Sequence, residues 1–89
     1  MSKIFQDESV VTVNIGKKGI TDSLLSELDN VLRARGVVKV KLLRSYRESA
    51  DLTREEVAKL LSEKLGAEVV GIRGFVIALR KPRGRRARA

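Results

Sequence analysis

The seven residues VVKVKLL, Val37–Leu43, constrain the fold more than any other stretch of the chain. Val38, Val40 and Leu42 point one way and Lys39 and Lys41 the other, the period of two that belongs to a strand. A strand enclosed between two helical layers is apolar on both sides. The two lysines therefore predict a sheet with one bare face, and hence two layers.

The flanking segments supply the other elements. From Ser9 to Ile15, SVVTVNI alternates in the same way, with Val11, Val13 and Ile15 on one side and Val10, Thr12 and Asn14 on the other. Between the two strands, Thr21 is placed to cap a helix carrying Leu24, Leu25, Leu28, Val31 and Leu32 on one stripe. Asp22 suits the positive end of its dipole, Arg33 and Arg35 suit the negative end, and Gly36 supplies the stop. After VVKVKLL, the segment RSYRESAD, Arg44–Asp51, has neither period and is expected to be a loop. Thr53 and Glu56 then form a capping box ahead of Val57, Leu60, Leu61 and Leu65, with Gly66 as the second stop. AEVVGI and FVIALR, joined across Arg73-Gly74, are a hairpin signal, and Pro82 ends the pattern.

The order is strand, helix, strand, helix, strand, strand. Right-handed crossovers make the first three strands run parallel, and the hairpin adds one antiparallel strand. The expected fold is thus an α/β two-layer domain of order βαβαββ, a four-stranded mixed sheet with two helices on one face. Thr12, Asn14, Lys39, Lys41 and Arg80 would lie on the bare face. Residues 1–8 are expected to be a lead-in, 9–81 the domain, and 82–89 a basic tail too poor in apolar side chains to pack.

Composition bounds the chemistry. At 89 residues there is room for one modest core. Histidine and cysteine are absent, which removes imidazole bases, thiolates, disulfides and the commonest zinc sites together. Glu27, Asp29, Glu55, Glu56 and Glu63 fall on helical runs rich in lysine and arginine, where solvated ion pairs are the expectation; Asp29 and Arg33, for example, stand at i,i+4. No enzyme, cofactor or metal is therefore expected. No apolar run approaches the roughly 20 residues needed to span a bilayer, and MSKIFQDESV lacks the apolar segment of a signal peptide, so a cytoplasmic protein without membrane contact is expected.

The net charge is +8, and five of the 19 basic residues, Lys81, Arg83, Arg85, Arg86 and Arg88, fall in the last nine positions without an acid among them. The remainder holds 14 basic against 11 acidic residues. A polyanionic partner is implied, touched by a local patch and a basic arm.

The patch is best placed at NIGKKGIT. A helix that starts just after a glycine turn presents unpaired amides and a partial positive charge. Gly16 and Gly19 would let the backbone adopt positive φ and let a phosphate come close, while Lys17 and Lys18 add mobile ammonium groups. Neither the G-x-x-x-x-G-K-[ST] nor the G-x-G-x-x-G nucleotide pattern is present, so no small phosphorylated substrate is expected. The clamp holds a nucleic-acid backbone in KH domains, but there it lies between two helices, and here a strand leads in.

Strand, GxxG and helix, followed by GVVKVKLL, a capped helix ending in Gly66, and the closing GIRGFVIALRKP together resemble the CRM domain, whose bacterial relative is YhbY. The resemblance covers roughly Val10 to Pro82. It implies an RNA-binding α/β fold similar to the C-terminal domain of translation initiation factor three, with Gly16, Lys17, Lys18 and Gly19 as the RNA-contacting loop. In bacteria the single-domain form is associated with assembly of the large ribosomal subunit, whereas multi-domain plant forms serve group II intron splicing; a lone domain looks like the former. Family members usually open with a further helix, for which MSKIFQDE is short.

Further candidate RNA contacts are Lys39 and Lys41 on the bare face, Arg73 at the hairpin, and Arg83, Arg85 and Arg86 in the tail. Tyr46 could stack on a base but more commonly such a residue packs its ring; Phe5 and Phe75 are assigned to core or edge packing. With three aromatic residues, recognition of folded RNA by shape and backbone fits better than sequence-specific reading of single strands. The expected partner is ribosomal RNA or a pre-ribosomal particle, bound by a monomer. The alternative is an Alba-like chromatin protein, which shares the element order and a lysine-rich first turn but has a longer, flexible hairpin; a small enzyme or nucleotide-binding domain is a more distant third.

Overall fold

The computed structural model describes residues 10–50 and 52–81. Four strands, β1 (Thr12–Ile15), β2 (Val37–Leu42), β3 (Glu68–Arg73) and β4 (Val76–Arg80), form one sheet in the order β1-β2-β4-β3. β1 pairs with β2 in parallel, and β4 runs antiparallel to both β2 and β3. The first three strands consequently share one direction, as the crossover rule requires, and the last strand is inserted between β2 and β3.

Two long helices, α1 (Asp22–Arg35) and α3 (Arg54–Leu65), pack against this sheet and against each other. Their ends follow the local chemistry of the chain. Thr21 Oγ1 accepts from the Leu24 amide, and Thr53 and Glu56 exchange both bonds of a capping box. Gly36 and Gly66 end the helices in left-handed conformations, with φ of 81° and 64°. The core between the layers holds Leu28 and Leu32 of α1, Val57 and Leu61 of α3, Val38, Val40 and Leu42 of β2, and Ile77 and Leu79 of β4. Each fully buried side chain of this kind contributes on the order of 2 kcal/mol of transfer free energy.

Thr12, Asn14, Lys41 and Arg80 are exposed on the other face and Lys39 is half-buried there. The two-layer α/β arrangement with a bare sheet face is therefore as expected from VVKVKLL. β3 lies at the sheet edge and carries a bulge between Val69 and Gly71, which restores Ile72 to the core side opposite Ile77.

The first strand, expected over Ser9–Ile15, is confined among the described residues to Thr12–Ile15, and three further details of the elements differ from the sequence expectation. Arg44–Ser49 is a short helix, α2, and not a loop. Its turn is closed by Ala50 N–H donating to Tyr46 O at 2.9 Å and braced by an Arg44–Glu48 pair at i,i+4. It buries one ring, Tyr46, so no apolar period could emerge from six residues. The hairpin turn falls one residue later than expected, on Gly74 and Phe75, with Gly74 at φ 60° in the first central position. Arg73 accordingly closes β3 opposite Val76. Finally, Phe75 belongs to neither core nor edge; as a turn residue it is 43% exposed.

Candidate nucleic-acid interface

β1 delivers Ile15 into the core, and the chain turns immediately over Gly16–Gly19. Gly19 N–H donates to Gly16 O at 2.9 Å, closing a tight turn with Lys17 and Lys18 at its exposed tip. Only Gly19, at φ 73°, uses the left-handed region; Gly16 does not, contrary to the expectation that both would. The two glycines therefore differ. A β-carbon on Gly16 would meet Leu43 Cδ1 at 3.4 Å and Ser45 Oγ at 3.6 Å, ordinary contacts with side-chain ends. One on Gly19 would meet the Tyr46 ring at 3.6 Å on a backbone that L-residues avoid. Gly16→Ala should leave the thermal midpoint nearly unchanged, whereas Gly19→Ala should cost about 1–2 kcal/mol in a denaturant titration.

Tyr46 is the floor of this loop. It is 5% exposed, belongs to the main core, and lies directly beneath Gly19. Burial raises its hydroxyl pKa above the ordinary value of 10.0. The packing role weighed for this ring is the one it fills. Further hydrogen bonds fix the same corner: Leu43 N–H donates to Ile15 O, and the Tyr46 and Arg47 amides to Leu43 O.

Beyond the turn, Thr21 takes up the Leu24 amide, and Leu25 N–H bonds to Thr21 O. The amides of Asp22 and Ser23, in the first turn of α1, have no carbonyl one turn back to receive them. Together with Asn14, Gly16, Lys17, Lys18, Gly19, Thr21, Leu24 and Glu27, Ser23 lines a shallow depression of about 350 Å³. Asn14 and Glu27 are features that sequence reasoning did not assign to this place; only the register of β1 and the length of the turn put them there.

The depression continues onto the bare sheet face. Asn14 lies opposite Lys41, Lys41 opposite Val76, and Val76 opposite Arg73. These four residues form one row across all four strands, about 14 Å long at ordinary strand spacing. The next row, Thr12, Lys39, Ala78 and Gly71, carries Lys39 as its one long side chain. Sequence-predicted Lys17, Lys18, Lys41 and Arg73 are thus brought to one end of the sheet, and Lys39 stands one row behind. Arg83, Arg85 and Arg86, like Phe5 and the lead-in, lie outside the described residues.

Charge is distributed unevenly along the sheet. Among the described residues, the ion pairs are Arg33–Asp29, Arg44–Glu48, Arg54–Glu55 and Arg80–Glu68. Lys17, Lys18, Lys41 and Arg73 are in none of them, so the loop end keeps its positive charge while the far end, at Arg80 and Glu68, is neutralised. A larger hollow of about 460 Å³ at that far end is lined by Asp29, Arg33, Leu65 and Lys81 among others. Its acid, Asp29, is already paired with Arg33, which leaves Lys81 as its one cation outside these ion pairs, and it has no glycine turn leading into a helix start. Among the described residues no cluster of His, Cys, Asp or Glu could hold a metal ion, and no helix is long and apolar enough to cross a membrane.

The loop end also gathers residues that the sequence did not single out. Arg47 lies over the Phe75 ring with its guanidinium carbon 3.8 Å from the centroid. Arg54 approaches the same ring at 5.9 Å and donates from Nη1 to Gly74 O at 2.7 Å. No periodic signal marks this cluster, because α2, α3 and the hairpin turn meet only through the fold.

Comparison with known proteins places this geometry in a family. A Methanocaldococcus jannaschii protein named as a probable RNA-binding protein is 36% identical over 69 residues, covering 78% of this chain and 49% of that protein. The chain thus spans about half the length of that curated relative. The solution structure of a hypothetical Staphylococcus aureus protein, for which RNA binding is proposed, superimposes with a TM-score of 0.63 at 27% identity, over 83% of this chain and 73% of that one. Residues 7–81 match the model of the CRS1 / YhbY (CRM) domain. With its strand, GKKG turn, capped helix and closing hairpin all inside the matched region, the chain belongs to the CRS1/YhbY (CRM) domain family.

Proposed function

We propose that this protein is a non-catalytic RNA-binding module that docks on structured ribosomal RNA or its precursor during assembly of the large subunit. The observation that carries the reading is the convergence of Lys17, Lys18, Lys41 and Arg73, none of them in an ion pair among the described residues, beside the open amides of α1. Backbone amides and the helix dipole favour phosphate at the turn, and the row along the sheet continues the positive surface. Family membership and the names of the two relatives support RNA as the polyanion. Gly16 and Gly19 shape the clamp, Lys17 and Lys18 supply its charge, Lys39, Lys41 and Arg73 extend it, and Arg83, Arg85 and Arg86 act as an electrostatic arm.

This assignment predicts that the purified protein retains large-subunit ribosomal RNA in preference to duplex DNA of equal length in a competition filter-binding assay. The affinity should fall with salt at about 0.7–0.9 logarithmic units per phosphate contact for each decade of concentration. Preference for duplex DNA together with dimerisation by mass measurement would favour the Alba-like alternative.

A further inference from the structure

The contact of Arg47 with Phe75 lies outside the GKKG clamp, and its construction is unusual for a surface pair. Phe75 is 43% exposed, so little of its burial stabilises the core. Its position is nonetheless tightly set. Phe75 O accepts from Leu42 N–H at 2.8 Å, and Arg47 Nε donates to Leu42 O at 3.3 Å, so one residue of β2 anchors both the turn and the guanidinium above it. Arg54 holds the other side of the turn through Gly74 O at 2.7 Å. Two arginines from two helices thus converge on one aromatic ring. Arg54 is engaged with Glu55; Arg47 is in none of the ion pairs among the described residues, and it is exposed.

A guanidinium held close over a ring, on an exposed side chain, offers a flat, delocalised group to a planar ligand. The side chain has already surrendered its rotational freedom, so a planar ligand that stacks on it meets a small ordering cost. The surroundings select the ligand. Lys41 and Arg73 both flank Val76, the residue that follows Phe75, and put positive charge at the same end of the sheet, which favours an anionic ligand there. An apolar protein surface gains little against a cationic plane, whereas a nucleobase stacks well on guanidinium.

We infer that Arg47, backed by Phe75, is a stacking platform for a single unpaired base of a bulge or loop in the bound RNA. The inference rests on the RNA-binding reading above and adds a second point of contact, the one at which an irregularity in a helix is sensed. One platform reads one extruded base, which fits a chain with three aromatic residues.

Two RNA hairpins with the same stem test it, one fully paired and one with a single bulged 2-aminopurine. The wild-type protein should bind the bulged hairpin roughly tenfold more tightly and change its fluorescence as the base leaves the helical stack. Phe75→Ala and Arg47→Lys should each bring that affinity down to the value for the paired hairpin; the lysine keeps the charge but not the plane. Lys17→Ala with Lys18→Ala should weaken both hairpins equally and leave their ratio intact. Equal wild-type affinity for the two hairpins, or a bulge preference that survives Arg47→Lys and Phe75→Ala in proteins with unchanged melting curves, overturns the platform alone. Retention of neither hairpin at low ionic strength overturns the RNA-binding reading and the platform with it.

Discussion

Replacing Lys17 and Lys18 together by alanine should lower the affinity for the proposed ribosomal RNA partner by about 25- to 60-fold at 0.1 M salt while leaving the melting temperature unchanged. The magnitude follows from losing two phosphate contacts, each worth 0.7–0.9 logarithmic units per decade of salt relative to 1 M, where the electrostatic contribution is nearly extinguished. The salt slope should therefore fall by about 1.4–1.8, and the two affinities should converge at high salt. Stability is spared because both side chains are exposed at the tip of the turn, and neither takes part in an ion pair among the described residues. The turn itself is held by the Gly19-to-Gly16 bond and by Tyr46, which the substitutions do not touch. Filter binding over a salt series, with a thermal melt of the same preparations, checks both halves; an unaltered affinity would remove the clamp from the interface.

Tyr46→Ala has the opposite profile. The ring is nearly inaccessible and joins the floor of the GKKG turn to the main core, so its removal leaves a cavity that a six-residue helix cannot easily close. A loss of about 3 kcal/mol or more is expected, which for a domain of this size lowers the melting temperature by roughly 15 °C. RNA affinity should fall as well, because Gly19 loses the surface on which its left-handed turn is seated. Tyr46→Phe keeps the ring and should preserve both properties at neutral pH.

The two variants should separate again in alkali. Burial favours the neutral phenol, so the folded protein holds its proton more tightly than the unfolded chain does. The resulting stabilisation is complete below about pH 10 and is lost as pH rises beyond it, because the unfolded chain ionises first. Tyr46→Phe should lack this loss, and the difference between the two unfolding curves above pH 10 measures it. Tyr46 is the sole tyrosine, so phenolate absorbance reports its ionisation without overlap.

Most of the fold was legible because each long element announces itself by two independent signals. α1 has an apolar stripe and Thr21 and Gly36 at its ends; α3 has a stripe, a capping box and Gly66. β2 carries its lysines on the side that the helices leave bare, and so gave away the number of layers. The misreadings are all local. Six residues with one buried ring cannot display a helical period, which hid α2. The hairpin turn was misplaced by one position because glycine can occupy more than one site in such a turn, and that single step moved Phe75 from the sheet to the surface. Of the candidate site, the lysines and glycines of the turn were visible as chemistry in sequence. Asn14, Glu27, Arg47 and Phe75 were not, since their proximity depends on strand register and on contacts between distant segments.

The insertion of β4 between β2 and β3 has a bearing on how the chain comes together. A fragment ending before Val76 contains a parallel pair, β1 and β2, and a separate strand, β3, with no ladder joining them. Loop-closure entropy has to be met before these halves gain anything from one another, and the final five-residue strand zips both seams at once. Assembly of the sheet is accordingly expected to be concerted: the same closing strand that completes the core also sets Arg73 in line with Lys41 and follows directly on Phe75, so the proposed RNA surface would exist only in molecules that have finished folding.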